Sequence, residues 1–363
     1  MIATIAATSA AVLLAAPAVG ALGHRAIKRS RNASLMKIDT PNGIDEQGFV
    51  SIGGIDQWIS VRGEDLANPV VLELHGGPGA STAIFVPRTR SWERHFTIVR
   101  WDMRGALKTL GRSGPEGQGE MTFDRIYADA IEVTDHIRVR LGAEKIVLLG
   151  QSYGSAFGLR LAREFPERYS AYIGTDQNIH DAGRDDSVHQ ALLTRLRTTG
   201  KRKELAAVEA LDPDERQWTA RQRAMHAKLV ATSDPLTLDT MKKVVMGSLW
   251  FSPLHSLREL GRFVKGMTIS EQITEATTGF DDWAEGTKFE LPLFIFQGDK
   301  DVLAPPELAR RFFDDVQAPV KDFALIEDCS HFAAFRRPER FLELLLTRVR
   351  PVVAGEPAGT AGI

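Results

Sequence analysis

The run Lys145-Ile146-Val147-Leu148-Leu149-Gly150-Gln151-Ser152-Tyr153-Gly154 decides the fold. Its first half is a short apolar stretch of buried-strand composition, and Ser155 to Phe165 beyond it carries a helical pattern. Between the two stands G-x-S-x-G. A strand that feeds a tight turn and then a helix is the context this motif requires. The serine takes a strained backbone conformation, and the flanking glycines leave no Cβ to collide with the adjoining strand or helix. The hydroxyl is thereby held clear of a sheet, at a helix N-terminus whose dipole favours developing negative charge. Ser152 is the candidate nucleophile.

A second motif agrees. Val70-Val71-Leu72-Glu73-Leu74 reads as a buried strand and runs into His75-Gly76-Gly77-Pro78-Gly79. Consecutive glycines let backbone N–H groups approach a substrate closely, as an oxyanion hole needs. The N–H of Tyr153, next after Ser152, is expected to complete the hole with that of Gly77, Gly76 being the alternative donor.

With Trp101-Asp102-Met103-Arg104-Gly105 between them, these motifs carry a resemblance. The chain resembles the prolyl iminopeptidase-like branch of the α/β-hydrolase fold over roughly Gly48 to Val349. The resemblance implies a mostly parallel sheet with helices on both faces, a helical cap over the site, and removal of N-terminal residues from peptides. One departure is visible: the family has glutamine where Met103 stands, and the Gly and Ser that follow are displaced to Gly111 and Ser113. That loop borders the active site in the family, so the departure bears on substrate preference.

The remaining triad members must follow in the order Ser, acid, His. A late apolar strand, Leu291 to Phe296, ends at Gln297-Gly298-Asp299-Lys300-Asp301. The family's G-x-x-D falls on Gly298 and Asp301, which makes Asp301 the candidate acid and Asp299 its alternative. Of nine histidines, His331 alone lies downstream of the acid, which makes it the candidate base. His331 would take the Ser152 proton, the alkoxide would attack an acyl carbon, and water would then hydrolyse the acyl-enzyme through the same base. An aminopeptidase, a carboxylesterase or amidase with the same triad, and a ligand-binding protein that keeps the fold without turnover are the readings to separate.

Composition agrees with an enzyme of this size. The 363 residues suffice for one large α/β domain with an insertion, and 43% are hydrophobic. The net charge of −2 gives no electrostatic case for nucleic acid. The single cysteine, Cys329, permits no intrachain disulfide and reads as a packing residue. No His/Cys/acid cluster has metal-ligand spacing, so neither metal nor other cofactor is expected. The expected partner is a small-molecule or short-peptide substrate.

The N-terminus is the other unusual feature. Ile2 to Gly23 contains no charged side chain, and Arg25, Lys28, Arg29 and Arg31 follow. The length suits a bilayer crossing, and the basic residues after it would hold the rest of the chain in the cytoplasm. A membrane anchor over 2–23 is the first expectation. Export after signal cleavage is the alternative, since Ala16-Pro17-Ala18 and Val19-Gly20-Ala21 resemble cleavage sites.

The expected organisation is a hydrophobic segment over 1–24, a polar linker over 25–43, an α/β core over 44–177 and 291–350, a helical cap over 178–290, and a Gly/Ala/Pro-rich tail over 351–363. A hairpin is expected about Gly53-Gly54, and strands at Val70–Leu74, Thr97–Trp101, Ile146–Leu149, Ala171–Thr175, Leu293–Phe296 and Phe323–Ile326. Helices are expected at Phe123–Leu141 and, in the cap, at Ser187–Arg197 and Pro213–Val230, the last with Asp212 as N-cap. The resemblance implies that acids of the cap hold a substrate's amino terminus, and the candidates there are Asp176, Asp181, Asp185, Asp186, Glu204 and Glu209.

Overall fold

A computed structural model describes residues 2–181, 186–270, 273, 277 and 279–355, with 2–18 described as backbone only. The expected tail beyond 355 and Asp185 lie outside the described residues.

The sheet has eight strands: β1 (Ile44–Ile52), β2 (Ile55–Gly63), β3 (Val70–Leu74), β4 (Thr97–Asp102), β5 (Ile146–Gln151), β6 (Tyr169–Thr175), β7 (Leu293–Gly298) and β8 (Lys321–Ile326). Their order is β1-β2-β4-β3-β5-β6-β7-β8. β1 and β2 form the expected hairpin. Gly53 and Gly54 at its tip have φ of 56° and 78°, as a two-residue primed turn demands. β2 also pairs antiparallel with β4, and every pair from β4 to β8 is parallel.

Both faces of the central strands are covered, and the alternation of side chains sorts them cleanly. Leu72, Leu74, Leu148, Leu293 and Ile295 enter one apolar cluster, with Phe123 and Phe157 from the helices α3 (Phe123–Leu141) and α4 (Tyr153–Glu164). Val71, Val147, Leu149, Phe294 and Phe296 enter the other, with Trp92, Phe335 and Phe341. This is the expected mostly parallel α/β sheet with helices on both faces.

Between β6 and β7 the chain is helical: α5 (Ser187–Thr198), α6 (Arg202–Glu209), α7 (Ala220–Ser233), α8 (Pro235–Thr240), α9 (Gly247–Phe251) and α10 (Leu257–Ile269). The start expected at Asp212 is corrected. Asp214 caps only a single 3₁₀ turn, Glu215–Gln217, and Trp218 is extended with its indole N–H on the Asp212 carbonyl. The helix begins after Thr219, whose capping box with Gln222 satisfies the first orphan amides.

The N-terminal helix α1 runs from Ile2 to Leu35, through the first part of the stretch expected to be a linker. No proline or glycine interrupts Arg25 to Leu35, and the segment is held by the cap. Arg25 donates to the His255 carbonyl at 3.1 Å, Arg29 to the carbonyls of Ser252, Pro253 and His255, and Asn32 to that of Phe251 at 3.0 Å. The His24 ring meets Phe251 edge to face, and the Arg25 guanidinium lies over Trp250. The anchor expected over 2–23 falls mostly on side chains outside the described ones, and no helix among the described residues is long and apolar enough to cross a membrane.

Candidate active site

Ser152 ends β5 and opens α4. Its φ is 51°, a left-handed value that a non-glycine residue adopts only where the surroundings enforce it. The neighbours enforce it by having no room for a Cβ. One on Gly154 would stand 2.1 Å from the Leu74 carbonyl oxygen, and one on Gly150 would stand 2.7 Å from Ser155 Cα. The Ser152 N–H donates to the Thr175 carbonyl at 3.1 Å, tying the turn after β5 to the end of β6.

His331 lies beyond β8, 179 positions along the chain from Ser152, and its ring reaches back across the sheet. Nε2 stands 2.8 Å from Ser152 Oγ, and Nδ1 stands 2.8 Å from Asp301 Oδ2. With the proton on Nδ1, the ring donates to Asp301 and accepts from Ser152. Asp301, after β7, is fixed in turn: its Oδ1 accepts the N–H groups of Leu303 at 2.9 Å and Ala304 at 3.0 Å. Burial alone would lower the imidazole's pKa, but the carboxylates of Asp301 and then Asp176 outweigh it and raise it to about 9. Asp299, the alternative acid, is turned away. It accepts the Cys329 N–H at 3.1 Å and braces the turn that carries His331. Cys329 is buried, and burial lifts its thiol to about 11.

The glycine loop after β3 faces the serine. A Cβ on Gly76 would stand 2.7 Å from Ser152 Cβ, and Gly77, with φ of 122°, takes the chain around the site. The Tyr153 amide belongs to the first turn of α4, where no intrahelical carbonyl accepts it.

His75 is not at the reacting centre. Buried beneath the loop, it donates from Nδ1 to the Gly76 carbonyl at 2.8 Å and accepts the Met103 N–H on Nε2 at 3.1 Å. Burial lowers its pKa to about 4 against that carbonyl, so the ring is neutral and ties the two loops together. The rest of the 101–105 run is a brace. Asp102 accepts from Ser81 and from the Lys108 N–H at the start of α2 (Leu107–Ser113), and Arg104 pairs with buried Asp129 at 2.6 Å. Met103, where the resembling family has glutamine, is buried in the apolar cluster that also holds Trp101 and Tyr153.

The cap closes over these loops. Helix α10 seats Gly266 against Gly79 and Gly105, and the Tyr153 hydroxyl donates to the Ile273 carbonyl at 2.8 Å. A cleft of about 580 Å³ opens beside Tyr153, walled by Ile179, Trp218, His226, Phe280 and Leu303. Asp181, Asp186 and Glu209 of the expected acids border it, joined by Glu215, which in the sequence reads only as part of a helix-start signal after Asp212. Glu204 does not border it. Asp176 lies instead below it, beside His331. No cluster has metal-ligand spacing in the sequence, yet the fold brings donor atoms of Asp176, Asp301 and His331 within 4.8 Å of one another. Two of the three are already engaged with each other.

Residues 69–338 match the family model for the alpha/beta hydrolase fold. The chain belongs to the α/β-hydrolase family. It is similar to a probable aminopeptidase, YbaC, of Bacillus subtilis, at 23% identity over 308 residues, 83% of this chain and 95% of the relative. A proline iminopeptidase of Thermoplasma volcanium is 31% identical over 128 residues, 35% of this chain and 40% of the relative. Among solved structures, a proline iminopeptidase-related protein of Thermus thermophilus superposes with a TM-score of 0.58 at 19% identity, covering 85% of this chain and 99% of that one. This α/β-hydrolase therefore has the family's sheet and an enzyme's assembly of side chains at its C-terminal edge.

Proposed function

We propose that this α/β-hydrolase is a serine hydrolase working through an acyl-enzyme. Ser152 is the nucleophile, His331 the general base and acid, and Asp301 the carboxylate that orients the imidazolium. The carrying observation is the chain of two 2.8 Å contacts from Ser152 Oγ through the His331 ring to Asp301. As His331 takes the hydroxyl proton, the oxygen attacks the acyl carbon, and the oxyanion is met by the Gly77 and Tyr153 amides, Gly76 being the alternative donor. The imidazolium then passes the proton to the leaving amine. Water enters, loses a proton to the same nitrogen, and releases the acid.

The substrate class we propose is a peptide or small amide with a free amino end, which makes the enzyme an aminopeptidase. Two relatives bear aminopeptidase and proline iminopeptidase names, and one of them aligns along nearly its whole length. The cleft supports this reading. Aromatic and aliphatic walls suit an apolar first residue, and Asp181, Asp186, Glu209 and Glu215 along it suit an ammonium group. The segment 178–290 is the cap that would select the substrate, set over a core of 44–177 and 291–350.

A panel of prolyl and alanyl arylamides beside short-chain aryl esters, offered to the wild type and Ser152→Ala, tests the proposal. Arylamide cleavage lost in the variant supports the aminopeptidase. Ester cleavage alone keeps the triad and discards the peptidase. Full activity in Ser152→Ala overturns the mechanism.

A further inference from the structure

Asp176 is buried, titratable and unused by the mechanism above. It follows β6 with φ of 49°, the left-handed region again, in the strand next to the one that carries Ser152. Aspartate adopts that conformation more readily than most residues, and the hydrogen bonds described next hold it here. Its carboxylate accepts the Ala333 N–H at 3.3 Å, two residues beyond His331, and lies 3.5 Å from the Gln151 side-chain amide, one residue before Ser152. It thus spans the turn of the nucleophile and the loop of the base. Among the described residues, the titratable groups acting on it are His331 and Asp301, whose donor atoms lie within 4.8 Å of its own.

Asp301 is saturated in this arrangement: one oxygen takes the imidazole, and the other takes two amides. Asp176 is less fully engaged, with one long amide contact on each oxygen. A carboxylate so placed has the charge to stabilise an imidazolium and, among the described residues, no other ionic partner. We propose that Asp176 is a positioning residue of the triad, a second carboxylate that shares with Asp301 the stabilisation of protonated His331. This inference rests on the serine-hydrolase reading. Burial raises the Asp176 carboxyl to about 6, with His331 opposing and Asp301 adding to the rise.

A purely structural Asp176 would be neutral, and asparagine would replace it without effect on His331. A charged one would not be replaceable. The test is the rate of fluorophosphonate labelling against pH, which needs no knowledge of the substrate. It is run on the wild type, Ser152→Ala, Asp176→Asn, Asp301→Asn and the double variant, with melting curves to verify folding. Because a negative charge raises the pKa of His331, its removal should move the acid limb of the Asp176→Asn profile down by about half a pH unit or more. Asp301→Asn should label at least about tenfold faster than the double variant, since one carboxylate still faces the ring. An acid limb unmoved in folded Asp176→Asn overturns the inference and leaves the triad standing. Labelling of Ser152→Ala at the wild-type rate overturns the triad itself. Should Asp176→Asn not fold, the imidazole nitrogens of His331 in wild-type enzyme decide the matter by NMR. A titration in two steps supports a second carboxylate, and a single step excludes it.

Discussion

A Cβ added to Gly79 would stand 2.4 Å from the carbonyl oxygen of Gly266, so the oxyanion loop and cap helix α10 meet backbone to backbone. Gly105 joins the contact: a Cβ on Gly266 would stand 2.6 Å from its carbonyl oxygen. The cap is therefore indexed on the glycine loop proposed to bind the oxyanion, and not merely laid over it. Gly266→Ala should lift α10 and shift that loop. Displacements near 1 Å can cost about 100-fold in rate, so a loss of roughly 10- to 100-fold in kcat/KM is expected with the sheet intact. Steady-state kinetics beside far-ultraviolet circular dichroism checks this. An unchanged rate would show that the contact does not govern the loop.

Asp299 and Asp301 are two residues apart and should behave oppositely. Asp299→Asn weakens the acceptor for the Cys329 N–H and should cost about 1 kcal/mol of stability while turnover stays within a few-fold. Asp301→Asn should lower kcat by about 100-fold or more with little change in melting temperature, because the ring loses its orienting charge. The reverse pattern would reassign the acid.

The pH profile follows from His331. Its protonated form cannot accept the Ser152 proton, and the acidic surroundings favour that form. Activity should therefore rise with pH, with the inflection displaced above the ordinary histidine value of 6.5 towards about 9. In Asp301→Asn the residual activity should have its inflection at lower pH. A wild-type inflection below 6.5 would contradict the arrangement.

The contact of α1 with the cap is expected to be stabilising. Arg29 caps three carbonyls of the segment joining α9 to α10. Hydrogen bonds from charged donors are worth about 1.5–3 kcal/mol, so Arg29→Ala should lower the melting temperature by several degrees. Calorimetry on the full chain measures it. Equal melting temperatures would mean that the helix rides on the cap without holding it.

Cys329 should resist modification in the native enzyme. It is buried, and its raised pKa keeps the thiolate scarce. A thiol reagent should titrate one group in denaturant and none within minutes before it. Rapid native reaction would place the turn before His331 in an open state.

Much of this architecture is legible in local patterns. The strands betray themselves because inward and outward residues alternate between two apolar clusters, and Gly53-Gly54 has one conformation to offer a hairpin. Ser152 and His331 are readable because the strand–turn–helix context and the order of the chain admit no rival. What escapes reading depends on contacts between distant positions. Arg25 meets His255 across 230 residues, so the composition of α1 does not by itself tell it from a linker or an anchor. The start of α7 is ambiguous in sequence because Asp212-Pro213 and Thr219-Gln222 both carry capping chemistry, and the burial of Trp218 decides between them. Asp176 reads as one acid among many at the edge of the cap. Only the adjacency of β5 and β6 puts it beside His331.

The separation of 179 residues between Ser152 and His331 also sets when the proposed catalytic pair can first assemble. Ribosomes add about 5–20 residues per second, so the serine emerges roughly 10–35 s before its base has been synthesised. Through that interval no proton acceptor faces the hydroxyl, however well the elbow is wound. On the proposed mechanism, a nascent or truncated chain that ends before β8 has no base, and reactivity should appear only when the far edge of the sheet has closed.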